Sequence, residues 1–155
     1  MVRKLAFLLC LSLACSMQLL AQNTAPQAVV TAFNQMFPAA QDVQWEFDDD
    51  QWEAEFALEG EAYEAAFRAD GAWVETEREI DPSEVPEQVR TIMIKFDGYE
   101  IKEATELRTP DLPLAYELLV RNGQDAVELT VDGRGYVLKM EPATEDEDDG
   151  EGGDQ

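Results

Sequence analysis

Apolar residues recur along this chain in two periods, and the periods follow one another in a fixed order. Val29, Ala32, Phe33 and Met36 are spaced i, i+3, i+4 and i+7, and so are Val89, Ile92, Met93 and Phe96, sixty residues later. That spacing gathers each set on one face of a helix. Pro26 and Pro86 precede the two sets, at a helix start where a missing N–H costs nothing. Two helices are predicted, each laying one apolar stripe on a shared core.

Four stretches with the period of a strand follow each helix. They run near 42–47, 52–58, 62–68 and 72–78, and again near 100–107, 114–121, 126–131 and 136–140. In the first half Trp45 and Phe47, then Trp52, Ala54, Phe56 and Leu58, then Tyr63, Ala65 and Phe67 form the apolar sets. Glu46, Glu53, Glu55, Glu64 and Arg68 alternate with them. One face packs and the other meets water, as in an antiparallel sheet covered on one side. Turns are expected at Asp48-Asp49-Asp50, Glu59-Gly60 and Asp70-Gly71, then at Pro110 to Pro113, Asn122-Gly123 and Asp132-Gly133. Asp70-Gly71 is a strong tight-hairpin signal, and Asp-Gly recurs just before the last strand in both halves. The fold class is α+β: tandem αββββ repeats, about 24–80 and 81–141, forming one antiparallel sheet of about eight strands with two helices packed on one face.

The two ends read differently from the middle. Arg3 and Lys4 precede an apolar run from Leu5 to Leu20, and Ala21 offers a small residue for cleavage. Residues 1–21 are therefore expected to be a signal peptide, too short and wrongly flanked for a membrane span. Lipid anchoring through Cys15 is the minority reading. It is weakened by Ser12, where a large aliphatic residue belongs, and by Met17, Leu19 and Leu20 beyond the cysteine. From Pro142 to Gln155 the chain is Asp, Glu and Gly with almost nothing apolar, too little to offset its ordering entropy. Residues 142–155 read as a disordered acidic tail, and 22–141 as the folded domain.

Composition sharpens this picture once the leader is set aside. The chain has 34 acidic and 11 basic residues, no histidine, and a net charge of −23. Removal of 1–21 takes Arg3, Lys4, Cys10 and Cys15, leaving nine basic residues against 34 acidic ones, or −25, with no thiol. A hydrophobic core must then hold the fold without a disulfide. The field repels nucleic acid and anionic lipid and favours cationic partners or divalent metal ions, and it also keeps the protein soluble, the simpler account of the charge.

The same inventory removes most chemistry. Without histidine the commonest general base and transition-metal ligand are missing, and without cysteine the usual zinc sites are excluded. Ser83 is the one serine left, and its setting, Asp81-Pro82-Ser83-Glu84, is that of a turn and helix cap. No phosphate-cradling or dinucleotide fingerprint occurs. The Asp48-Asp49-Asp50 run lacks the ligand spacing, glycine bend and distal Glu of a calcium loop. Carboxylates such as Glu53, Glu55 and Glu64 are the remaining catalytic option, and a solvated strand face is the favoured account of them, since among 34 acidic residues some adjacency is inevitable. No catalytic residue, metal site or cofactor is assigned.

The ordered series Val29–Phe33, Phe37-Pro38, Val43-Gln44-Trp45-Glu46, Trp52-Glu53-Ala54, Ala69-Asp70-Gly71-Ala72-Trp73 and Glu75-Thr76-Glu77 resembles the PepSY-like, β-lactamase-inhibitor-like family of exported bacterial proteins. Val85-Pro86, Phe96-Asp97-Gly98-Tyr99-Glu100-Ile101, Tyr116-Glu117 and Asp132-Gly133 extend the resemblance, more loosely, through the second half. It implies two helix-plus-four-strand units in one sheet, and a protein of the periplasm or surface of Bacteroidetes-type bacteria. Members mostly lack an assigned biochemical role, and nothing in these residues shows inhibition.

The expected function is an exported, non-enzymatic protein- or peptide-binding module. Its binding residues are expected on the exposed sheet face, at Glu46, Glu53, Glu55 and Glu64, and its partner is a protein or peptide with a basic surface rather than nucleic acid. A calcium-binding or envelope-stress protein is the alternative, and a carboxylate-dependent hydrolase a distant one.

Overall fold

The computed structural model describes residues 24–123 and 125–143. The expected signal peptide, residues 1–21, and all but Pro142 and Ala143 of the expected acidic tail lie outside the described residues. Helix α1 (Gln27–Met36) leads into strands β1 (Gln41–Asp48), β2 (Gln51–Leu58), β3 (Glu61–Phe67) and β4 (Trp73–Ile80). A second helical segment, with α2 (Glu87–Arg90) at its centre, leads into β5 (Glu100–Arg108), β6 (Ala115–Asn122), β7 (Asp125–Asp132) and β8 (Val137–Pro142). All eight strands form one antiparallel meander in the order β1 to β8. The expected class, tandem αββββ units in a single open sheet, is the observed one.

Each helix covers its own half of one sheet face. Val29 and Phe33 of α1 are buried on Ala54, Phe56, Ala65 and Phe67. Val89 and Ile92 are buried on Ala104, Leu118, Val120, Leu129 and Val131. Between these two cores the covered face turns polar. Arg78 of β4 meets Glu106 of β5 at 3.3 Å and lies 6.0 Å from the Tyr63 ring centre, while Arg108 reaches the other oxygen of Glu106 at 3.4 Å. The cores are thus joined by the β4–β5 ladder, Thr76 to Ile80 against Arg108 to Ala104, and by this ion-pair bridge.

The structure departs from the predicted elements in three places. The second helix is not a continuous α-helix: after Arg90 it tightens into a 3-10 segment, Thr91–Lys95. Thr91, Ile92 and Ile94 are β-branched and stiff at χ1, and the Thr91 hydroxyl donates to the Gln88 carbonyl at 2.6 Å, competing with the backbone ladder. Met36, expected on the core stripe, is 41% exposed at the end of α1. Strand β8 continues through Pro142, and the Ala143 N–H donates to Ala126 O at 3.0 Å. The sheet therefore outlasts the compositional boundary at 141.

The turns show which residues need unusual backbone. β1 and β2 are joined by Asp49 and Asp50 alone, with φ of +45° and +65°, and Asp48 pairs with Gln51. Positive φ at both central positions is the type I′ hairpin, which favours Asn-Gly. Replacing Asp49-Asp50 by Asn-Gly should raise stability by about 0.5–1 kcal/mol, by relieving left-handed strain and two adjacent charges. A higher urea midpoint at unchanged slope would show it, and an unchanged midpoint would refute it. Ser83 sits in a 3-10 turn (Pro82–Glu84) capped by Asp81, whose side chain accepts from Ser83 N–H while Glu84 accepts from Asp81 N–H. The cap expected from sequence is present.

Candidate binding face

Strand pairing decides which carboxylates meet. The uncovered face is set by parity: Ala54, Phe56 and Ala65 point into the core, so Glu53, Glu55 and Glu64 point away from it. Glu55 stands directly opposite Glu64, and Glu64 directly opposite Glu77. One row of three carboxylates therefore crosses β2, β3 and β4. Gln44 of β1 extends that row opposite Glu55. Beside it Ala57 faces Ala62, and these small side chains leave a shallow groove of about 370 Å³. Asp42, Glu61 and Glu79 also line it, with Thr105 on the far wall.

Of the four residues expected to bind, Glu55 and Glu64 line this groove. Glu46 and Glu53 share the face and oppose each other across β1 and β2, one row further along. Glu77, Glu79 and Asp42 were not singled out from sequence. Glu77 and Glu79 lie on β4, whose alternation was legible but whose register against β3 was not. Asp42 enters through a bulge in β1, between the Gln41–Ala57 and Gln44–Glu55 pairs, with φ of +54°. Such an extra residue re-aims its side chain, and nothing in the local sequence marks it.

The tryptophans do not line this groove. Trp45 packs edge-on against Phe33, and Trp52 lies against the same core. The Trp73 Nε1 donates to the Thr76 hydroxyl at 3.0 Å. Among the described residues no three potential ligands converge in an arrangement that would hold a metal ion. None of their helices is long and apolar enough to cross a membrane. The groove can offer negative charge, hydrogen-bond acceptors and a strip of small apolar floor. These suit a cationic extended segment.

An eight-stranded meander with helices on one face and an acidic groove on the other defines an open-sheet α+β protein. Residues 50–139 match the model of the beta-lactamase-inhibitor-like, PepSY-like family, and the chain belongs to that family. Similar crystal structures include a BLIP-like protein from Bacteroides fragilis, at 23% identity and TM-score 0.71, covering 81% of this chain and 91% of that one. A DUF2874 family protein from Bacteroides ovatus is 22% identical, with TM-score 0.70 over 77% of this chain and 89% of that one. A candidate periplasmic protein from Bacteroides eggerthii is 23% identical, with TM-score 0.66 over 77% and 89%. At these identities the likeness is one of fold. No curated protein sequence matches the chain.

Proposed function

We propose that this is an exported, non-enzymatic binding protein that holds a basic peptide or protein segment in the acidic groove of its open sheet face. The observation that carries the reading is the in-register row Glu55–Glu64–Glu77 beside the Ala57–Ala62 floor. Three carboxylates side by side offer a cationic side chain several charge-assisted acceptors at once. The chain's net charge of −23 steers such a partner to the surface. The absence of histidine from the sequence favours binding over acid–base catalysis. The apolar leader and the periplasmic description of a similar structure support a place outside the cytoplasm.

Titration with a Lys/Arg-rich decapeptide tests the reading. Affinity should fall by tenfold or more between about 0.02 M and about 0.5 M salt. The triple variant Glu55→Gln, Glu64→Gln, Glu77→Gln should weaken binding at low salt by about tenfold or more. Glu100→Gln, Glu103→Gln, Glu128→Gln makes the same change in net charge outside the groove. Equal losses from the two triple variants would mean that only the overall field acts, and the groove would be abandoned as the site.

A further inference from the structure

The open sheet has two edges, and they are defended unequally. β1 carries Asp42, Glu46 and Asp48 and is broken by its bulge, both standard protections of a free edge. β8 carries one residue of each sign, Lys139 and Glu141, and it is apolar elsewhere. Val137 is 38% exposed, Leu138 48% and Met140 61%, with Tyr136 at 66% just before the strand. In a chain where acids outnumber bases 34 to 11, this edge is neutral and greasy.

We propose that β8 pairs antiparallel with β8 of a second copy, about a two-fold axis through Met140. The charge pattern of the strand selects this occupant. Lys139 and Glu141 lie on the uncovered face, opposite Thr130 and Glu128 of β7, while Met140 lies on the covered face opposite Leu129. Antiparallel pairing centred on Met140 sets each Lys139 directly against the partner's Glu141, giving two cross-strand ion pairs. Met140 meets its own copy on the axis. A self-complementary patch of this kind is what an isologous dimer requires. Within one chain the two side chains already meet at 2.9 Å, so both reach along the outer face.

Backbone geometry agrees with that register. The Ala143 N–H donates to Ala126 O, so by alternation Glu141 and Lys139 bond inward to β7. The N–H and C=O of Met140 then point out at the free edge. They can exchange two hydrogen bonds with the same atoms of the second copy. Pro142 falls on the outward side, where its missing N–H is tolerated on an edge and ends the ladder. The dimer is thus short-laddered and weak, and it joins two sheets without touching the groove, which spans β1 to β5.

Sedimentation equilibrium across a wide concentration range tests the proposal on the intact chain. A monomer–dimer equilibrium is expected, tighter at about 0.5 M than at about 0.02 M salt, because screening relieves repulsion between two strongly negative chains. This salt dependence is opposite in sign to that of the cationic ligand. Lys139→Glu should weaken dimerisation about tenfold or more, and adding Glu141→Lys should restore it. Met140→Lys, at an exposed position, should abolish the dimer while leaving the monomer's melting temperature and decapeptide affinity unchanged. Monomer at every concentration and salt would overturn the proposal. So would assemblies growing beyond the dimer, or a dimer insensitive to the charge swap.

Discussion

Phe33→Ala is expected to lower the free energy of unfolding by about 3–5 kcal/mol, the range for removing a large aromatic from a packed core. Phe33 is 2% exposed. Its ring centre lies 5.3 Å from Phe37, 5.2 Å from Trp45, 5.0 Å from Phe56 and 6.2 Å from Phe67. Its ring contacts join α1 to β1, β2 and β3. A domain of this size is stable by about 5–15 kcal/mol in total, so the loss is a large share of what holds it. The melt should stay a single transition, because the Thr76–Ile80 ladder and the Arg78–Glu106 bridge tie the second core to the first. Urea denaturation followed by near-ultraviolet and far-ultraviolet circular dichroism checks both points. A loss below about 1 kcal/mol would deny Phe33 its central place. Two separate transitions would show that the halves fold independently.

The parts of this architecture that are legible in the sequence are those dictated by local period. Trp52, Ala54, Phe56 and Leu58 alternate with Glu53, Glu55 and Ala57 and do form one face of β2. Val29 and Phe33 fix the buried side of α1 in the same way. The buried stripe of the second helical segment, Val89 and Ile92, is equally readable, but its tightening to 3-10 after Arg90 is not. That depends on where the Thr91 hydroxyl finds an acceptor. Pairing is a different kind of information. Glu55, Glu64 and Glu77 are each recognisable as outward positions on their own strands. Only the register between strands aligns them in one row, and a slip of one residue would turn each face over. Bulges add a further unreadable step, as Asp42 shows. The same limit misplaced a glycine. Asp132-Gly133 looked like the counterpart of Asp70-Gly71, yet the left-handed glycine of the last hairpin is Gly135, with φ of +88°. The Asp132 N–H bonds to Tyr136 O and the Gly135 N–H to Asp132 O, as the Arg68 N–H bonds to Ala72 O and the Gly71 N–H to Arg68 O. Both tips are three-residue loops ending on a left-handed glycine, a common hairpin form.

These two glycines share a second constraint, which makes Gly135→Ala the next largest expected effect. A Cβ on Gly135 would lie 2.3 Å from the Gln88 carbonyl oxygen, and one on Gly71 would lie 2.7 Å from that of Ala28. Gln88 and Ala28 occupy the first turns of α2 and α1, so each hairpin tip presses its glycine against the helix that covers its half. Gly60 supplies the control, with φ of +91° and nothing within 4 Å of its Cβ position. Gly60→Ala should therefore cost only the backbone preference, about 1–2 kcal/mol. Gly135→Ala adds a clash with backbone, which cannot rotate aside, and should cost about 2–5 kcal/mol in all. Gly71→Ala should fall between them. The order can be read from urea midpoints of the three variants. Were Gly135→Ala no worse than Gly60→Ala, the tip would have room to lift. The covering helices would then be held by their apolar stripes alone, and the hairpin would not clamp α2 onto the sheet.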